Sequence, residues 1–502
     1  MTMTFRERFR QLLDEAPEDR EAVEFDGAWT TWGTLQAVAS SLDSALTARG
    51  LGVGSRVGVV LENRPEHVAV LLGVLATGRT VVTFSGLQPP ARLAADIARA
   101  EVPAVVGRSE FWSGEDVRAA AGEALVMELS EDRVTTTQPI EPKSPGSNAL
   151  APGVEIEMLT SGTTGAPKRV LLLERQFATA LATSVPEPLP DALFRSGTTI
   201  VAAPMVHIGG LWGALSPIYT GRRICLLARF ELEPWLAAVE RHRPRASGLV
   251  PAALRSILET DVPAARLASL QVITSGTTYC PTEIVDGMLE KYGIRVLPTY
   301  GATEFAGAIA MWSLRMHEKH WESKKGAAGR PIRGVELRVS RPGGEVLEAG
   351  QEGILEVRSA QSPLGPAEWQ RTSDLAVIDA DGFVWIRGRT DDAIIRGGFK
   401  IQPETVRAAL EQHPAVREAA VAPWPDERLG AVPVAGVELE EGADVPTGQA
   451  LRDHCRTLLL PYEVPVHVVV LDELPRTPSH KVSRDDLLDQ IRAAISRGVP
   501  AA

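Results

Sequence analysis

The residue types best suited to bind phosphate lie together in one short segment, Thr160-Ser161-Gly162-Thr163-Thr164-Gly165-Ala166-Pro167-Lys168. This segment directly follows an apolar run from Val154 to Leu159, which predicts a strand. Glycines and hydroxyl side chains at this density expose backbone N–H groups and O–H donors to phosphate oxygens, and Lys168 adds a point charge. The segment lacks the Gly-Lys-Ser/Thr ending of the usual P-loop. By composition alone, a polar surface turn is an equally good interpretation.

Alternating helix and strand patterns surround this segment. Thr34 is the predicted cap of a helix through Leu46 that ends at Gly50, and residues 66–77 predict an apolar helix. The run Arg56–Leu61 predicts a buried strand. This alternation predicts βαβ units, and hence an α/β fold with mainly parallel sheets and helices on their faces. Further strands of the same kind are predicted at 80–84, 200–202, 224–227, 247–250 and 271–274.

The pattern changes after Gly329. Short strand-like runs separated by Gly, Pro and Asp predict a small antiparallel sheet or barrel over about 330–388. From Arg389 onward, strands and helices of a compact α+β unit follow. We therefore predict an N-terminal domain of residues 1–388 and a C-terminal domain of residues 389–502, joined by a hinge. The predicted elements of this half are strands at 336–339, 354–357, 376–378, 383–386, 419–422, 432–437 and 466–471, and helices from Pro403, over 448–459 and from Arg484.

Composition excludes several classes of function. A chain of 502 residues is too long for one core, so at least two domains are expected. The formal charge of -12 argues against nucleic acid as a partner. We expect no membrane span and no signal peptide, because the chain has no apolar run of sufficient length. Cys225, Cys280 and Cys455 are too far apart in sequence for a disulfide framework, so a reducing cytoplasm is the expected location.

The phosphate-binding segment resembles the nucleotide loop of the adenylate-forming superfamily. That family includes acyl-CoA synthetases, luciferases and peptide-synthetase adenylation domains, and this chain resembles the acyl-CoA synthetases most. Its other motifs follow in the family order over most of the chain. They are Thr299-Tyr300-Gly301-Ala302-Thr303-Glu304, Arg371-Thr372-Ser373-Asp374-Leu375, Gly388-Arg389-Thr390-Asp391-Asp392, Arg396-Gly397-Gly398-Phe399-Lys400-Ile401 and Pro475-Arg476-Thr477-Pro478-Ser479-His480-Lys481-Val482.

The resemblance implies a nucleotide site with assigned roles. Tyr300 would stack on adenine, Thr303 would touch the α-phosphate and Glu304 would hold Mg²⁺. A flat ring suits a purine face, and a lone carboxylate beside phosphates suits a magnesium ion that keeps its waters. Asp374 would accept both ribose hydroxyls, and Arg389 would reach ribose or phosphate. The ATP- and AMP-binding set is then Thr160, Ser161, Gly162, Thr163, Thr164, Gly165, Lys168, Gly276, Thr277, Tyr300, Gly301, Ala302, Thr303, Asp374, Ile386, Arg389 and Lys481.

The same resemblance assigns catalysis and movement to the C-terminal part. Lys481 would bridge the substrate carboxylate and the α-phosphate as charge moves between them, a type of stabilisation worth roughly 3–4 kcal/mol for one well-placed donor. Asp391 would be the pivot for rotation of the C-terminal domain. Gly397 and Gly398 would then line the path of the coenzyme A arm, since two glycines permit close backbone approach.

The acid would bind near Pro204-Met205-Val206-His207-Ile208-Gly209-Gly210, which resembles the fourth element of the family. His207 would act as an aromatic gate beside the carboxylate, so the catalytic set is Lys481, Thr303 and His207. No acidic side chain in this stretch could pair with an α-amino group, which favours a plain carboxylic acid, and Gly209 and Gly210 suggest a roomy pocket. The predicted acyl pocket comprises His207, Gly209, Gly210, Val250, Ser275, Gly276 and Gly301.

These motifs predict an ATP-dependent carboxylic acid:coenzyme A ligase that uses ATP, Mg²⁺ and coenzyme A and acts as a monomer or homodimer. One alternative is a freestanding adenylating enzyme that loads the acyl group onto a carrier protein. A second alternative is a catalytically weakened protein that binds an acyl or nucleotide ligand. It is suggested by Ser373 and His480, which stand where the family usually has glycine.

Overall fold

The computed structural model describes residues 3–160, 168–184, 192–390, 392–396, 399–426, 428–477 and 481–497. These residues fall into two compact units. The first unit contains the described residues up to Leu337 together with Val357–Gln370, and the second contains Arg338–Glu356 and the described residues from Arg371 onward. In the described ranges, no helix combines the length and the apolar composition that crossing a membrane requires.

The helices of the described residues are α1 (Phe5–Glu15), α2 (Trp32–Ala48), α3 (Pro65–Ala76), α4 (Pro90–Ala100), α5 (Ser109–Trp112), α6 (Glu115–Ala120), α7 (Glu174–Ser184), α8 (Ile208–Tyr219), α9 (Leu232–His242), α10 (Pro251–Glu259), α11 (Thr282–Tyr292), α12 (Leu314–His320), α13 (Pro403–Leu410), α14 (Gly448–Leu458) and α15 (Arg484–Ser496). Short 3₁₀ turns occur as well, of which Thr303–Phe305 matters for the site.

The strands are β1 (Glu21–Phe25), β2 (Ala28–Thr31), β3 (Arg56–Leu61), β4 (Thr80–Ser85), β5 (Ala104–Arg108), β6 (Leu125–Leu129), β7 (Val134–Thr136), β8 (Val154–Thr160), β9 (Lys168–Leu173), β10 (Thr198–Val201), β11 (Arg223–Leu226), β12 (Ala246–Gly248), β13 (Val272–Ser275), β14 (Arg295–Ala302), β15 (Gly307–Met311), β16 (Arg330–Pro331), β17 (Val335–Ser340), β18 (Glu352–Ser359), β19 (Gln370–Ile378), β20 (Val384–Arg389), β21 (Ile394–Arg396), β22 (Phe399–Ile401), β23 (Val416–Asp426), β24 (Gly430–Leu439) and β25 (His467–Val470).

The first unit is built on three sheets of the described residues, with strand orders β7-β6-β5-β3-β4-β8-β9, β10-β11-β1-β2 and β12-β13-β14-β15-β16. Parallel pairing joins β6, β5, β3, β4 and β8, and the edge strands β7 and β9 are antiparallel to their neighbours. Every residue of α3 is buried, because this apolar helix packs within the main core. Strand ends of these sheets carry most of the predicted substrate-binding residues.

The predicted α/β class with parallel sheets is confirmed, as are the helices and strands predicted around the phosphate-binding segment. One detail was wrong. The helix predicted to be capped by Thr34 begins at Trp32, and its cap is Thr31, whose side chain accepts a hydrogen bond from the Thr34 backbone N–H at 3.4 Å. Both residues are threonines, whose side chain can cap the N-terminus of a helix. Thr31 is the last residue of β2 and has the extended backbone conformation that an N-cap residue requires.

In the second unit, β19 pairs with β20 in antiparallel fashion within the sheet β17-β18-β19-β20. The chain then forms the sheet β22-β21-β24-β23, with β25 parallel to β24. Both faces of this sheet are buried. Ala419 of β23 belongs to a core with residues of α13 and α14, whereas the next residue, Ala420, belongs to a core with α15, as the two-residue period of a strand requires. The predicted C-terminal elements are thereby confirmed.

Candidate active site

Two antiparallel strands of the first unit, β8 and β9, flank the phosphate-binding segment. Thr160 at the end of β8 and Lys168 at the start of β9 are Cα partners. Lys168 is exposed. The predicted residues Ser161, Gly162, Thr163, Thr164 and Gly165 lie outside the described residues.

A second turn carries Tyr300, Thr303 and Glu304. Strand β14 ends at Ala302, the 3₁₀ turn Thr303–Phe305 follows, and β15 returns antiparallel to β14. A Cβ atom at Gly301 would lie 2.1 Å from the Gly307 carbonyl oxygen, so only glycine permits this close approach. Tyr300, Thr303 and Glu304 are all partly buried. The turn therefore groups the residues predicted to bind adenine, the α-phosphate and magnesium.

Two buried glutamines, which the sequence did not reveal, hold this turn. The Gln176 side-chain amide donates to the backbone oxygens of Glu304 at 2.7 Å and of Gln361 at 2.6 Å. Its carbonyl oxygen accepts from the Leu173 backbone N–H at 2.7 Å. The Gln361 amide donates to the Phe305 oxygen at 3.0 Å. Both glutamines have 0% exposure. They connect the end of β9 to the turn that bears Glu304.

His207 lies at the entrance to α8. It is the N-cap residue of that helix, in extended backbone geometry, and its side chain is partly buried. A Cβ atom at the exposed Gly209 would lie 3.7 Å from the Thr277 side chain, which places the start of α8 beside the turn after β13. Thr277 has a φ of 71°, a strained conformation for a β-branched residue that is most often found at functional sites. Val250 is the N-cap residue of α10.

The glycines predicted to line the acyl pocket differ in their surroundings. A Cβ atom at Gly209 would make only an ordinary van der Waals contact with Thr277, but one at Gly210 would lie 2.2 Å from the Pro204 carbonyl oxygen. At Gly276 it would lie 2.4 Å from the Thr299 hydroxyl oxygen. Close packing against the Pro204 backbone and the Thr299 side chain therefore explains Gly210 and Gly276 without reference to the size of the pocket. Ser275, next to Gly276, is buried at the end of β13.

In the second unit, Asp374 and Arg389 are Cα partners across β19 and β20. The Arg389 guanidinium donates to the Ser373 hydroxyl at 2.6 Å, and the Ser373 carbonyl accepts from the Thr390 backbone N–H at 2.6 Å. The register shifts between Leu375 and Ala376, so β20 carries a bulge just before Arg389. The Ser373 hydroxyl therefore supplies an acceptor for the Arg389 guanidinium.

Asp392, in the segment after β20, makes two long ionic contacts. Arg389 Nε lies 3.8 Å from the Asp392 carboxylate, and Arg484 lies 3.9 Å from its other oxygen. These side chains are 41%, 25% and 30% exposed, so each ion pair contributes little to stability. Ile386 is partly buried in β20 opposite Ala376. The predicted pivot Asp391 and the predicted thiol-path residues Gly397 and Gly398 lie outside the described residues.

Lys481 is positioned by its own backbone. Its carbonyl oxygen accepts hydrogen bonds from the Thr477 backbone N–H at 2.7 Å and from the Thr477 hydroxyl at 3.2 Å. Burial of the ammonium group and the positive charge of Arg389 lower the pKa of Lys481, although the residue keeps an exposed surface. His480 lies outside the described residues. The second unit thus brings together Asp374, Arg389 and Lys481, three of the residues predicted to contact the nucleotide.

Comparison with known proteins decides the family. The model of the AMP-binding enzyme family matches residues 9–365, and that of the AMP-binding enzyme C-terminal domain matches residues 406–481. The chain belongs to the AMP-binding enzyme family. The sulfoacetate–CoA ligase of Cupriavidus necator is 31% identical, over 91% of this chain and 92% of its own length. The predicted resemblance to the adenylate-forming superfamily, close to the acyl-CoA synthetases, is confirmed.

Solved structures agree with this assignment. The o-succinylbenzoate CoA synthetase of Bacillus subtilis in complex with its acyl-adenylate intermediate matches with a TM-score of 0.76 and 25% identity, over 96% of this chain and 97% of its own. The same enzyme in complex with ATP and a magnesium ion matches with a TM-score of 0.77 and 25% identity, over 96% and 99%. A magnesium ion suits the donor set found here, because Glu304 offers one partly buried carboxylate and leaves room for water and phosphate ligands.

Proposed function

We propose that this chain is an ATP-dependent carboxylic acid:coenzyme A ligase, which forms an acyl-adenylate and then a thioester. The predicted class, an AMP-forming acid–thiol ligase with ATP, Mg²⁺ and coenzyme A as its partners, is confirmed by its relatives. One observation carries the assignment of roles within the chain. The charge of Arg389 lowers the pKa of Lys481, and the Arg389 guanidinium donates to the hydroxyl of Ser373, the residue before Asp374. Arg389 is also the cross-strand partner of Asp374, the carboxylate proposed to bind ribose.

In the first half-reaction, a carboxylate oxygen of the acid attacks the α-phosphorus of ATP. The bond from that phosphorus to the bridging oxygen breaks, and pyrophosphate leaves. Lys168 and the phosphate-binding segment before it bind the leaving phosphates, and Lys481 stabilises the negative charge that develops around the α-phosphorus. Glu304 and the substrate phosphates would hold magnesium, which supplies charge neutralisation. His207 is proposed to lie beside the acid carboxylate.

In the second half-reaction, the thiol of coenzyme A attacks the acyl carbon and AMP leaves. We assign residues 1–388 and 389–502 to two domains, and rotation about Asp391 to the step that withdraws Lys481 and brings Gly397 and Gly398 to the thiol path. The long contact between Arg389 and Asp392, which lie on either side of Asp391, supports this proposal, since a part-exposed ion pair at 3.8 Å is easily released. Such domain motions take microseconds to milliseconds and can limit turnover.

The acid is proposed to be a carboxylic acid without an α-amino group. The start of α8 and the turn after β13 offer His207, Gly209 and Thr277 but no carboxylate to receive an ammonium group. Relatives named as sulfoacetate, 2-succinylbenzoate and 4-coumarate CoA ligases support this class of acid. We also propose a cytoplasmic location and a monomeric or homodimeric state.

The test is product analysis by mass spectrometry. The purified protein is incubated with Mg-ATP and a pool of acids that includes sulfoacetate, 2-succinylbenzoate and 4-coumarate, with and without coenzyme A. The ligase is expected to give acyl-CoA and AMP in the first sample and enzyme-bound acyl-AMP in the second. Acyl-AMP that persists in both samples would instead indicate a carrier protein as acceptor. If no acid in the pool produces AMP, the weakened binding protein becomes the better interpretation.

A further inference from the structure

A second cluster of reactive side chains lies in the first unit and shares no residue with the candidate active site. It is built on one cross-strand row of the sheet β10-β11-β1-β2. Trp29, Glu24, Cys225 and Ile200 are successive Cα partners across its strands, so their side chains lie on the same face of the sheet. Glu24 is 1% and Cys225 is 3% exposed. A carboxylate and a thiol thus lie side by side in a buried position.

Helix α9 adds a third ligand-type side chain to this pair. Its last residue, His242, places Nε2 against Oε2 of Glu24, while Arg241 forms an ion pair with Oε1 of the same carboxylate. The His242 side chain is 8% exposed, and the Trp29 ring packs edge-on against it at 5.9 Å. One carboxylate oxygen, the Cys225 Sγ atom and one imidazole nitrogen all lie within 4.8 Å of one another. This spacing fits three ligands around a single ion.

The polar atoms of this cluster are enclosed together. Oε2 of Glu24 and Nε2 of His242 contact each other directly, and neither makes a hydrogen bond with another residue that the structure describes. The contact between Glu24 and His242 could satisfy these two residues, but it gives no role to the thiol that faces them.

We propose that Glu24, Cys225 and His242 bind one zinc ion. A thiolate, an imidazole nitrogen and a carboxylate are ligands that zinc accepts in tetrahedral sites, and water would take the fourth position. The Cys225 thiol loses its proton to solvent as the sulfur–metal bond forms. Arg241 holds the Glu24 carboxylate from the side away from the ion, as outer groups do at zinc sites. The ion ties β1, β11 and α9 together.

The test uses tag-free, metal-free protein without nucleotide or acid, so its outcome is independent of ligase activity. Zinc is titrated by calorimetry, and cobalt(II) is added to a second sample as a spectroscopic probe. We expect one ion per chain, and a thiolate-to-cobalt charge-transfer band in the near ultraviolet. Cys225→Ala should abolish that band and weaken zinc binding at least tenfold. Cys280→Ala, which removes another buried cysteine of the same unit, should change neither.

His242→Gln provides a second variant at a less buried position, with folding checked by circular dichroism. This variant should also weaken zinc binding at least tenfold. Zinc should raise the melting temperature of the unaltered protein but not that of the variant. The proposal is overturned if the unaltered protein binds no zinc in the micromolar range. It is equally overturned if the cobalt spectrum and the zinc affinity of Cys225→Ala match those of Cys280→Ala.

Discussion

The two units hold their candidate substrate-binding residues by different kinds of contact. In the first unit, the turn with Thr303 and Glu304 is fixed by hydrogen bonds from Gln176 and Gln361, which are buried and uncharged. In the second unit, Arg389 donates to the Ser373 hydroxyl and makes a 3.8 Å ion pair with Asp392, and Lys481 is held through its backbone oxygen by Thr477. The side chains of Arg389 and Lys481 keep partial exposure.

This difference matches the chemistry proposed for each unit. Buried amide hydrogen bonds cannot be released without leaving polar groups unsatisfied, so the first unit is suited to keep one geometry for phosphate, magnesium and acid. Part-exposed charges can exchange their partners for water at little cost, so the second unit is suited to present Lys481 in one step and withdraw it in the next. The predictions below test this contrast.

Lys481→Ala should have the largest effect. Formation of the acyl-adenylate should fall by at least about 10²-fold, the usual consequence of removing one donor that stabilises developing charge. Thiolysis of preformed acyl-adenylate by coenzyme A should change less than about threefold, because Lys481 is assigned only to the first step. The two half-reactions are measured separately by rapid quench. Lys143→Ala, which removes a surface lysine paired with Glu123, is the matched control. Equal losses in both half-reactions would contradict the division of roles.

Gln176→Leu should have the second-largest effect. It leaves the backbone oxygens of Glu304 and Gln361 and the N–H of Leu173 without their buried partner, which should lower the free energy of unfolding by about 2–4 kcal/mol. The Michaelis constant for Mg-ATP should rise as the turn loosens. Urea denaturation and steady-state kinetics provide the measurements. Gln271→Leu alters an exposed glutamine of the same unit and should leave both quantities unchanged.

Ser373→Ala should have a smaller effect. The hydroxyl accepts one hydrogen bond from a part-exposed guanidinium, so its loss should raise the Michaelis constant for ATP about fivefold, equivalent to roughly 1 kcal/mol. A double-mutant cycle with Arg389→Ala measures whether the two side chains act together. Additive effects in that cycle would show that Ser373 does not orient Arg389, and its replacement of the usual glycine would then have no explanation in this site.

The smallest effect concerns pH. Burial and Arg389 lower the pKa of Lys481, and the proposed role requires its charged form. As pH rises through this lowered pKa, the lysine loses its proton and adenylation slows. The alkaline limb of the pH–rate profile should therefore lie at a lower pH than the titration of an ordinary lysine. The rate of adenylate formation against pH measures this. In Lys481→Arg the limb should disappear, since a guanidinium stays charged. A limb that persists in that variant would exclude Lys481 as its origin.

Much of the fold could be predicted from local pattern. In some segments the hydrophobic periodicity, the length and the terminal residues all predict the same element. The strand Arg56–Leu61 and the helix beginning at Pro403 are examples, and both were confirmed. Less could be predicted where two neighbouring residues satisfy the same local rule, as with Thr31 and Thr34 at the start of α2. Glycines were also ambiguous. Gly209 and Gly210 are adjacent and identical in type, yet a Cβ atom at Gly209 would only touch the Thr277 side chain, whereas one at Gly210 would clash with a carbonyl oxygen.

The sequence by itself determined the element order, the family and the candidate site residues, because motifs such as Tyr300–Glu304 carry their chemistry in residue type and spacing. Only the tertiary structure decided which residues support them. Gln176 bonds Glu304 across 128 positions of sequence and Gln361 bonds Phe305 across 56. Glu24 meets Cys225 through strand register and His242 through the packing of α9. Such contacts leave no local signal, because a buried amide or thiol acquires its partners from the packing of distant elements.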